Sequence, residues 1–466
     1  MSDQINRPID RRWFIGSSAA ALGYFMTADK LTAVRAADEP SSKIRFAGVG
    51  VGGKGSGDID QAGNIGQIVA LCDIDENNLA AKLKKWPEAA KFTDYRKLLE
   101  EKGKEIDAVV VSTPDHNHAW PSIMAMRMKK HVYCQKPLTH TVFEARLMRE
   151  TAKKFGVCTQ MGNQGSAENG LRRGVELVQD GLLGEIKEIH VWTNRPIWPQ
   201  APGVMKRAEG MKAIPSNVHW EEFIGPAPMR PYQSGYHPFA WRGWLDFGTG
   251  ALGDMACHTA NMAFRACELT SPTIIEADAT DVNTETYPSS AKIAFDYPKR
   301  GDKPHQAALK FYWYEGKRGG KKVLPPEELL AKVLKEKEKL ADSGSIIVGS
   351  KAILFSPNDY GAQFRIIGTE VANLGKPERL PINGRGDQGM KDEWAKAIRD
   401  GKPEVAYSNF DIAGMLTEAI LLGNIAIRSG KKLEFDAATL KITNDAAANL
   451  MVSKEYRKGW EITEKA

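Results

Sequence analysis

The stretch IRFAGVGVGGKGSG, residues 44–57, decides the fold. An apolar run, IRFAGV, breaks into glycines that fit two overlapping G-x-G-x-x-G registers, Gly48/Gly50/Gly53 and Gly50/Gly52/Gly55. The second register fits better. It leaves IRFAGV whole as a strand and lets the glycines turn the chain into a helix. Glycine is required where backbone must approach a pyrophosphate closely, and a helix N-terminus then faces the negative charge. Asp73 ends the next apolar run, 18 residues beyond Gly55. A carboxylate at that spacing suits the adenosine ribose hydroxyls and repels the 2′-phosphate of NADP. The expected cofactor is NAD, held by Gly50, Gly52, Gly55 and Asp73.

Outward from this turn, short apolar runs alternate with amphipathic segments. The runs are IRFAGVG (44–50), QIVALCD (67–73), DAVVVST (107–113), KHVYCQK (130–136) and GVCTQMG (156–162). Between them lie the helical stretches ENNLAAKLKKW, DYRKLLEEKGK and TVFEARLMRETAKKFG. Continuous apolar strands separated by helices predict a parallel sheet covered on both faces, a Rossmann domain over residues 43–165. After about residue 165 the pattern changes to longer alternating strands, GEIKEIHVWT, TIIEADATDV, SAKIAFDYP and ALKFYWYEG. These predict an α+β domain over residues 166–385 with a large open, mainly antiparallel sheet. LPPEELLAKVLKEKEKLA (324–341) reads as a charged surface helix, and SIIVGSKAILFS (345–356) as two strands around a Gly-Ser turn. Residues 386–466 read as a helical segment packing back on both domains.

Chemistry concentrates in three places. STPDHNHA follows the third strand, so Thr113, Pro114, His116 and His118 should line the crevice beyond the strand ends. Thr113, Pro114 and His118 are expected on the cofactor side and His116 toward the substrate. Lys136 ends the fourth apolar run and faces the same crevice. A cation there can touch cofactor, hold a substrate hydroxyl and stabilise negative oxygen as hydride leaves its carbon. In GTGALGDMACHTAN (248–261), a helix would place Asp254 and His258 on one face. Histidine is the natural acceptor of a hydroxyl proton, and a nearby carboxylate can orient it and raise its basicity. Before that helix cluster Trp192, Trp198, Tyr236, His237, Phe239, Trp241, Arg242, Trp244 and Phe247. Aromatic planes pack on sugar rings, so Tyr236, His237, Trp241 and Arg242 are candidate substrate contacts. Trp192 lies within a strand and reads as core.

Composition narrows the function classes. The 466 residues are 42% hydrophobic and 26% charged with a net charge of +6, which is ordinary for a globular protein and offers no nucleic-acid stripe. Five cysteines form no CxxC pair and no zinc-like spacing, so neither a metal nor a disulfide framework is expected. Arg11 and Arg12 precede a moderately apolar stretch, and VRA follows at 34–36. That pattern predicts a twin-arginine export signal over residues 1–36 and a periplasmic or otherwise exported protein. The stretch is too short and too rich in Ser, Gly and Ala for stable membrane insertion.

These motifs together resemble the Gfo/Idh/MocA oxidoreductases, especially an exported branch bearing twin-arginine signals. The resemblance spans about residues 43–460 through the glycine turn, TPDHNH, QKPLTHT, GNQG, YHPFAWRGWLDFGTGALGDMACH and FDIAGMLTEAILLGN. It implies Lys136 as the family's Glu-Lys-Pro lysine, Asp254 and His258 as its catalytic pair, and a homo-oligomer, dimer or tetramer, formed through the open sheet. Two departures stand out. Gln135 replaces a common glutamate, which removes a charge beside Lys136, and Asn261 replaces a common aspartate. The implied function is NAD-dependent oxidation or reduction at a hydroxyl-bearing carbon of a sugar or cyclitol, with tightly bound cofactor. A redox-neutral glycosidase or lyase, a sugar–sugar transhydrogenase, and a non-catalytic nucleotide-bound carbohydrate-binding protein remain open.

Overall fold

The structure, a computed structural model, describes residues 43–461, so the export signal expected over residues 1–36 lies outside the described residues. The first sheet contains β1 (Ile44–Val49), β2 (Gly66–Cys72), β3 (Ala90–Phe92), β4 (Ala108–Val111), β5 (His131–Cys134) and β6 (Thr159–Met161). Their spatial order is 3-2-1-4-5-6, and every neighbouring pair is parallel. All four residues of β4 are buried, as its unbroken valines require of a strand covered on both faces. The strand order reverses between β1 and β4, which opens a crevice at their carboxyl ends.

Local chemistry sets the helices that cover this sheet. Asp94 caps Tyr95–Lys102 by accepting from the Arg96 amide at 2.8 Å. Thr141 and Glu144 form a capping box that starts Val142–Phe155, and Gly156, at φ 62°, ends it in the left-handed conformation.

The second sheet contains β7 (Ile186–Trp192), β8 (Ile274–Thr280), β9 (Ser290–Tyr297), β10 (Leu309–Arg318), β11 (Lys321–Lys322), β12 (Gly344–Gly349), β13 (Ile353–Ser356), β14 (Arg365–Ile367), β15 (Leu433–Asp436) and β16 (Lys441–Ile442). Its order is 14-13-12-7-10-9-8-15-16, with β11 beside β10. The pairs are antiparallel except β7 with β10, where Tyr312 lies opposite His190 in parallel register.

The long helix Phe410–Ser429 packs on the inner face of this sheet. It is long and apolar enough to cross a bilayer by length and composition, but 83% of its apolar window is buried inside the protein. Gly423 permits the close approach: a Cβ there would lie 2.7 Å from Leu252 and 2.9 Å from Phe295. Because Leu252 belongs to the helix Gly250–Thr259, this contact also seats the helix that carries Asp254 and His258. The tail helix Gly386–Asp400 instead covers the first sheet, its Trp394 ring 5.5 Å from Phe46 and 5.8 Å from Tyr133.

Two elements differ from the sequence reading. The helix expected over 324–341 runs only from Glu327 to Val333. Leu334 is extended and Lys337 is left-handed at φ 63°, because Glu338 turns back to accept from the Lys335 amide and pairs with Arg365. The tail is also not wholly helical: Leu433 pairs with Ile275 and adds β15 to the large sheet.

Candidate active site

The glycine turn has the geometry that the second register requires. Gly50 stands at φ 78° and donates its amide to Cys72 O at 2.8 Å. A Cβ on Gly55 would lie 1.9 Å from Gly50 O, so only glycine lets this helix meet the turn. Gly52 precedes the helix Gly53–Gly63, which has no side-chain cap and no acidic residue in its first turn. Uncapped amides at a helix start suit an anionic group, so the residues present fit a dinucleotide pyrophosphate.

Asp73 is placed differently from its expected role. Its Oδ2 accepts from the amides of Val51 at 2.8 Å and Gly52 at 2.9 Å. Its Oδ1 accepts from Asp75 N at 2.9 Å and Asn78 Nδ2 at 3.2 Å. Four donors fill the carboxylate, so Asp73 braces the glycine turn, and a ribose hydroxyl must displace one of them to bind there. Burial holds its carboxyl above the usual range in spite of these bonds.

The two histidines of STPDHNHA do not face the crevice with free ring nitrogens. His116 places Nε2 2.8 Å from Phe223 O and Nδ1 3.3 Å from Phe247 O, which ties the loop to the aromatic region. His118 lies between Pro137 O at 2.8 Å and Thr113 O at 2.7 Å, and so joins this loop to the Lys-Pro turn. Burial pushes His116 down to about 3 and His118 to about 4. Both act as braces rather than ligand contacts. Thr113 donates to Asn117 O at 2.9 Å, and Pro114 starts the short 3-10 turn Asp115–Asn117.

Lys136, Asp254 and His258 are brought together. Lys136 Nζ donates to Asp254 Oδ1 at 2.7 Å and to the Asp254 carbonyl at 2.9 Å. Arg242 Nε lies 3.8 Å from the same Oδ1. Burial pushes the Asp254 carboxyl up, but Lys136 and then Arg242 pull it below its usual value, so it is ionised. The expected orientation of His258 by Asp254 is therefore replaced by a lysine–aspartate pair. Among the described residues His258 Nδ1 is buried with no hydrogen-bond partner, and its ring stands edge-on to Tyr360 at 5.1 Å. Burial, followed by Lys136, drives the imidazole down to about 3 against the pull of Asp254. His258 is thus neutral and carries an unused ring nitrogen.

The aromatic region divides. Tyr236 is 1% exposed and packs with Trp220, Trp244 and Phe247 as the local core, so it does not reach a substrate. Trp241 is also buried, but its ring supports Arg242, whose guanidinium lies 4.3 Å from its centroid and 4.7 Å from that of Phe239. His237 faces Asp75 at 4.0 Å, beside the end of β2. Of these four candidates, Arg242 is the one that reaches Asp254.

The departures at 135 and 261 also have places. The Gln135 amide donates to Asp58 Oδ2 at 2.7 Å, so its side chain turns away from the Lys136 ammonium that it was expected to influence. Asn261 donates to Ser166 Oγ and accepts from Arg265 Nε, both at 2.9 Å, in a fully buried network.

Sequence reasoning missed Asp115 and Tyr360. Asp115 accepts from Thr249 Oγ1 at 2.7 Å at the start of the site helix, and burial pushes its carboxyl up to about 7. The acid in PDHNH was a visible signal. Tyr360 reaches His258 from the loop between β13 and β14, for which no local motif exists.

Comparisons with known proteins bear on the fold and the cofactor. A model described as an oxidoreductase family, NAD-binding Rossmann fold, matches residues 43–163, and its partner, the C-terminal alpha/beta domain of the same family, matches residues 172–302. A 2,7-anhydro-N-acetylneuraminate hydratase from Escherichia coli is 33% identical over 96 residues, 20% of this chain and 26% of that protein. An inositol 2-dehydrogenase from Salmonella paratyphi B is 27% identical over 147 residues, 30% of this chain and 43% of that protein. The chain thus spans less than half the length of these curated relatives. The solved WlbA dehydrogenase from Chromobacterium violaceum, in complex with NADH and UDP-GlcNAcA, aligns with a TM-score of 0.60 at 16% identity, covering 86% of this chain and 98% of that one. At that identity the likeness is one of fold. With two models of one family matching residues 43–163 and 172–302, together just over half of the chain, and with a glycine turn and crevice that fit its nucleotide, the chain belongs to the Gfo/Idh/MocA family of NAD-binding oxidoreductases.

Proposed function

We propose that this protein acts at a hydroxyl-bearing carbon of a sugar or cyclitol, keeps its NAD bound through the cycle, and returns the hydride within the same site. The observation that carries the reading is the pairing of Lys136 with Asp254 beside a neutral His258 whose Nδ1 is unpartnered. His258 is deprotonated throughout the neutral range and takes the hydroxyl proton. Lys136, held by two bonds to Asp254, offers its remaining donor to the oxygen as negative charge develops there. Asp254 gives the new imidazolium a nearby counter-charge. Arg242, stacked on Trp241, is placed to orient a second substrate hydroxyl or an anionic group. The chemistry supplied by bound NAD is reversible acceptance of hydride from the hydroxyl-bearing carbon.

A redox-neutral cycle is what the export expected from residues 1–36 would require. Outside the cytoplasm no NAD pool replenishes the site, so hydride must go back to substrate or to a second sugar. Oxidation of a ring hydroxyl to a ketone acidifies the neighbouring C–H, and loss of that proton with the glycosidic group precedes return of the hydride. The name of the E. coli relative, a hydratase, supports such a cycle. Export through the twin-arginine pathway and a dimer or tetramer built on the open sheet belong to the same proposal. The test is purification from the periplasmic fraction without added cofactor, then turnover of glycosides in nucleotide-free buffer. Bound nucleotide and sustained turnover are expected. Empty protein that needs stoichiometric NAD refutes the cycle and leaves a conventional dehydrogenase.

A further inference from the structure

Beneath Lys136 lies a charge cluster that the proposed chemistry does not use. Asp58, in the helix after the glycine turn, and Lys391, in the tail helix Gly386–Asp400, both have fully buried side chains. Lys391 Nζ lies 2.6 Å from Asp58 Oδ1, and Lys54 Nζ approaches the same oxygen at 3.1 Å. The other oxygen, Oδ2, accepts from Ser112 Oγ at 3.0 Å and from Gln135 Nε2 at 2.7 Å. Four donors therefore occupy the four lone-pair sites of one carboxylate. Lys391 also lies 3.7 Å from the centroid of the Tyr133 ring, a further support for a buried cation. Burial pushes the Asp58 carboxyl up, yet Lys391 and Lys54 pull it below its usual range.

The cluster reaches the site through one side chain. The Asp58 acceptor fixes which end of the Gln135 amide is NH2. Its carbonyl end then accepts from the Lys136 amide at 3.3 Å. Gly162 closes the remaining space, since a Cβ there would lie 2.6 Å from Gln135 Nε2. The tail helix is thus linked through Lys391, Asp58 and Gln135 to the backbone of the residue whose side chain holds Asp254.

We propose that Asp58 is a positioning residue for Lys136, acting through Gln135, and that residue 135 has to be uncharged because its side chain ends on Asp58. Lys391 balances Asp58, and Lys54 also pairs with Asp387 at 2.9 Å, so a carboxylate at 135, meeting that of Asp58 at hydrogen-bond distance, would find no uncommitted cation and the two could not both stay ionised. The inference rests on the reading of Lys136 as the group that holds the reacting oxygen, but its test needs no turnover.

Asp58→Asn, Gln135→Glu and the double swap carrying both are prepared as full chains. The rate of Lys136 acylation by a small amine-reactive ester is measured by mass spectrometry against that of exposed Lys187 in the same molecule. Each single change should shift the Lys136:Lys187 rate ratio about fivefold, within the usual range for coupled neighbours. The swap should return it to within about twofold of wild type, because the charge stays beside Lys391 and the amide–carboxylate bond is kept. Ratios unchanged in the singles, or shifts that simply add in the swap, overturn the proposal. If Asp58→Asn does not fold, Gln135→Met decides: it removes the link without adding charge, so a shifted ratio supports positioning and an unchanged one refutes it. Loss of turnover with the expected ratios would count against the oxidoreductase chemistry at Lys136 and not against this link.

Discussion

If His258 is held neutral by burial, the protein has to lose stability in acid, and His258→Gln should abolish a defined part of that loss. The imidazole titrates near 6.5 in the unfolded chain and is depressed to about 3 in the folded one, chiefly by burial and then by Lys136. A depressed histidine costs nothing above the unfolded value. Between the two values the unfolded chain binds a proton that the folded chain does not, so lowering the pH favours unfolding. From pH 6.5 to 4.5 the linkage amounts to two units, or about 2.7 kcal/mol. The assay is denaturant unfolding at pH 7.0 and 4.5 for wild type and for His258→Gln. His116, His118 and the other buried histidines contribute equally to both proteins, so their effects cancel in the comparison. The variant should lose about 2–3 kcal/mol less than wild type over this interval. Equal losses would show that His258 titrates near its unfolded value in the folded state, so that burial beside Lys136 does not hold it neutral in acid.

Gly55→Ala places a Cβ against Gly50 O, 1.9 Å away before relaxation, so NAD titration should show binding weakened by tenfold or more; unchanged affinity would mean that the turn has another conformation. NAD should bind more tightly than NADP, and Asp73→Asn should weaken NAD binding, because its NH2 end has to oppose one of the two donor pairs, Val51 and Gly52 or Asp75 and Asn78. Tighter binding of NADP by wild type would contradict the placement of Asp73. Trp394→Ala should cost about 3–5 kcal/mol of stability, the usual scale for a buried tryptophan, read as a shifted denaturation midpoint.

The parallel sheet was legible because its strands are short apolar runs bounded by turn residues, and the glycine register was legible because only one choice leaves β1 intact. The juxtaposition of Lys136 with Asp254 was legible as a shared crevice, from strand-end and helix positions alone. Individual partners were not. His116 and His118 look like ligand contacts by position, yet both rings turn their nitrogens onto backbone carbonyls of Phe223, Phe247, Pro137 and Thr113, and each neutral ring donates its one N–H to one of its two. Tyr236 looks like a sugar platform, but a long loop region requires its own core, and Tyr236 supplies it. Gln135 looked like a lost charge beside Lys136. Only the fold brings Asp58, 77 positions earlier in the chain, and Lys391, far later, to the same buried point. Such contacts between distant segments leave no periodic or local signal.

In the proposed reaction hydride leaves a hydroxyl-bearing carbon while His258 takes the proton. The deciding measurement is rapid mixing of the NAD-loaded protein with candidate sugars while reduced nicotinamide absorbance is followed in a single turnover. Wild type should reduce its bound NAD, whereas His258→Gln should do so at least about a hundredfold more slowly with unchanged NAD affinity, the scale of a lost acid–base group. Reduction of NAD by the variant at the wild-type rate would contradict the account.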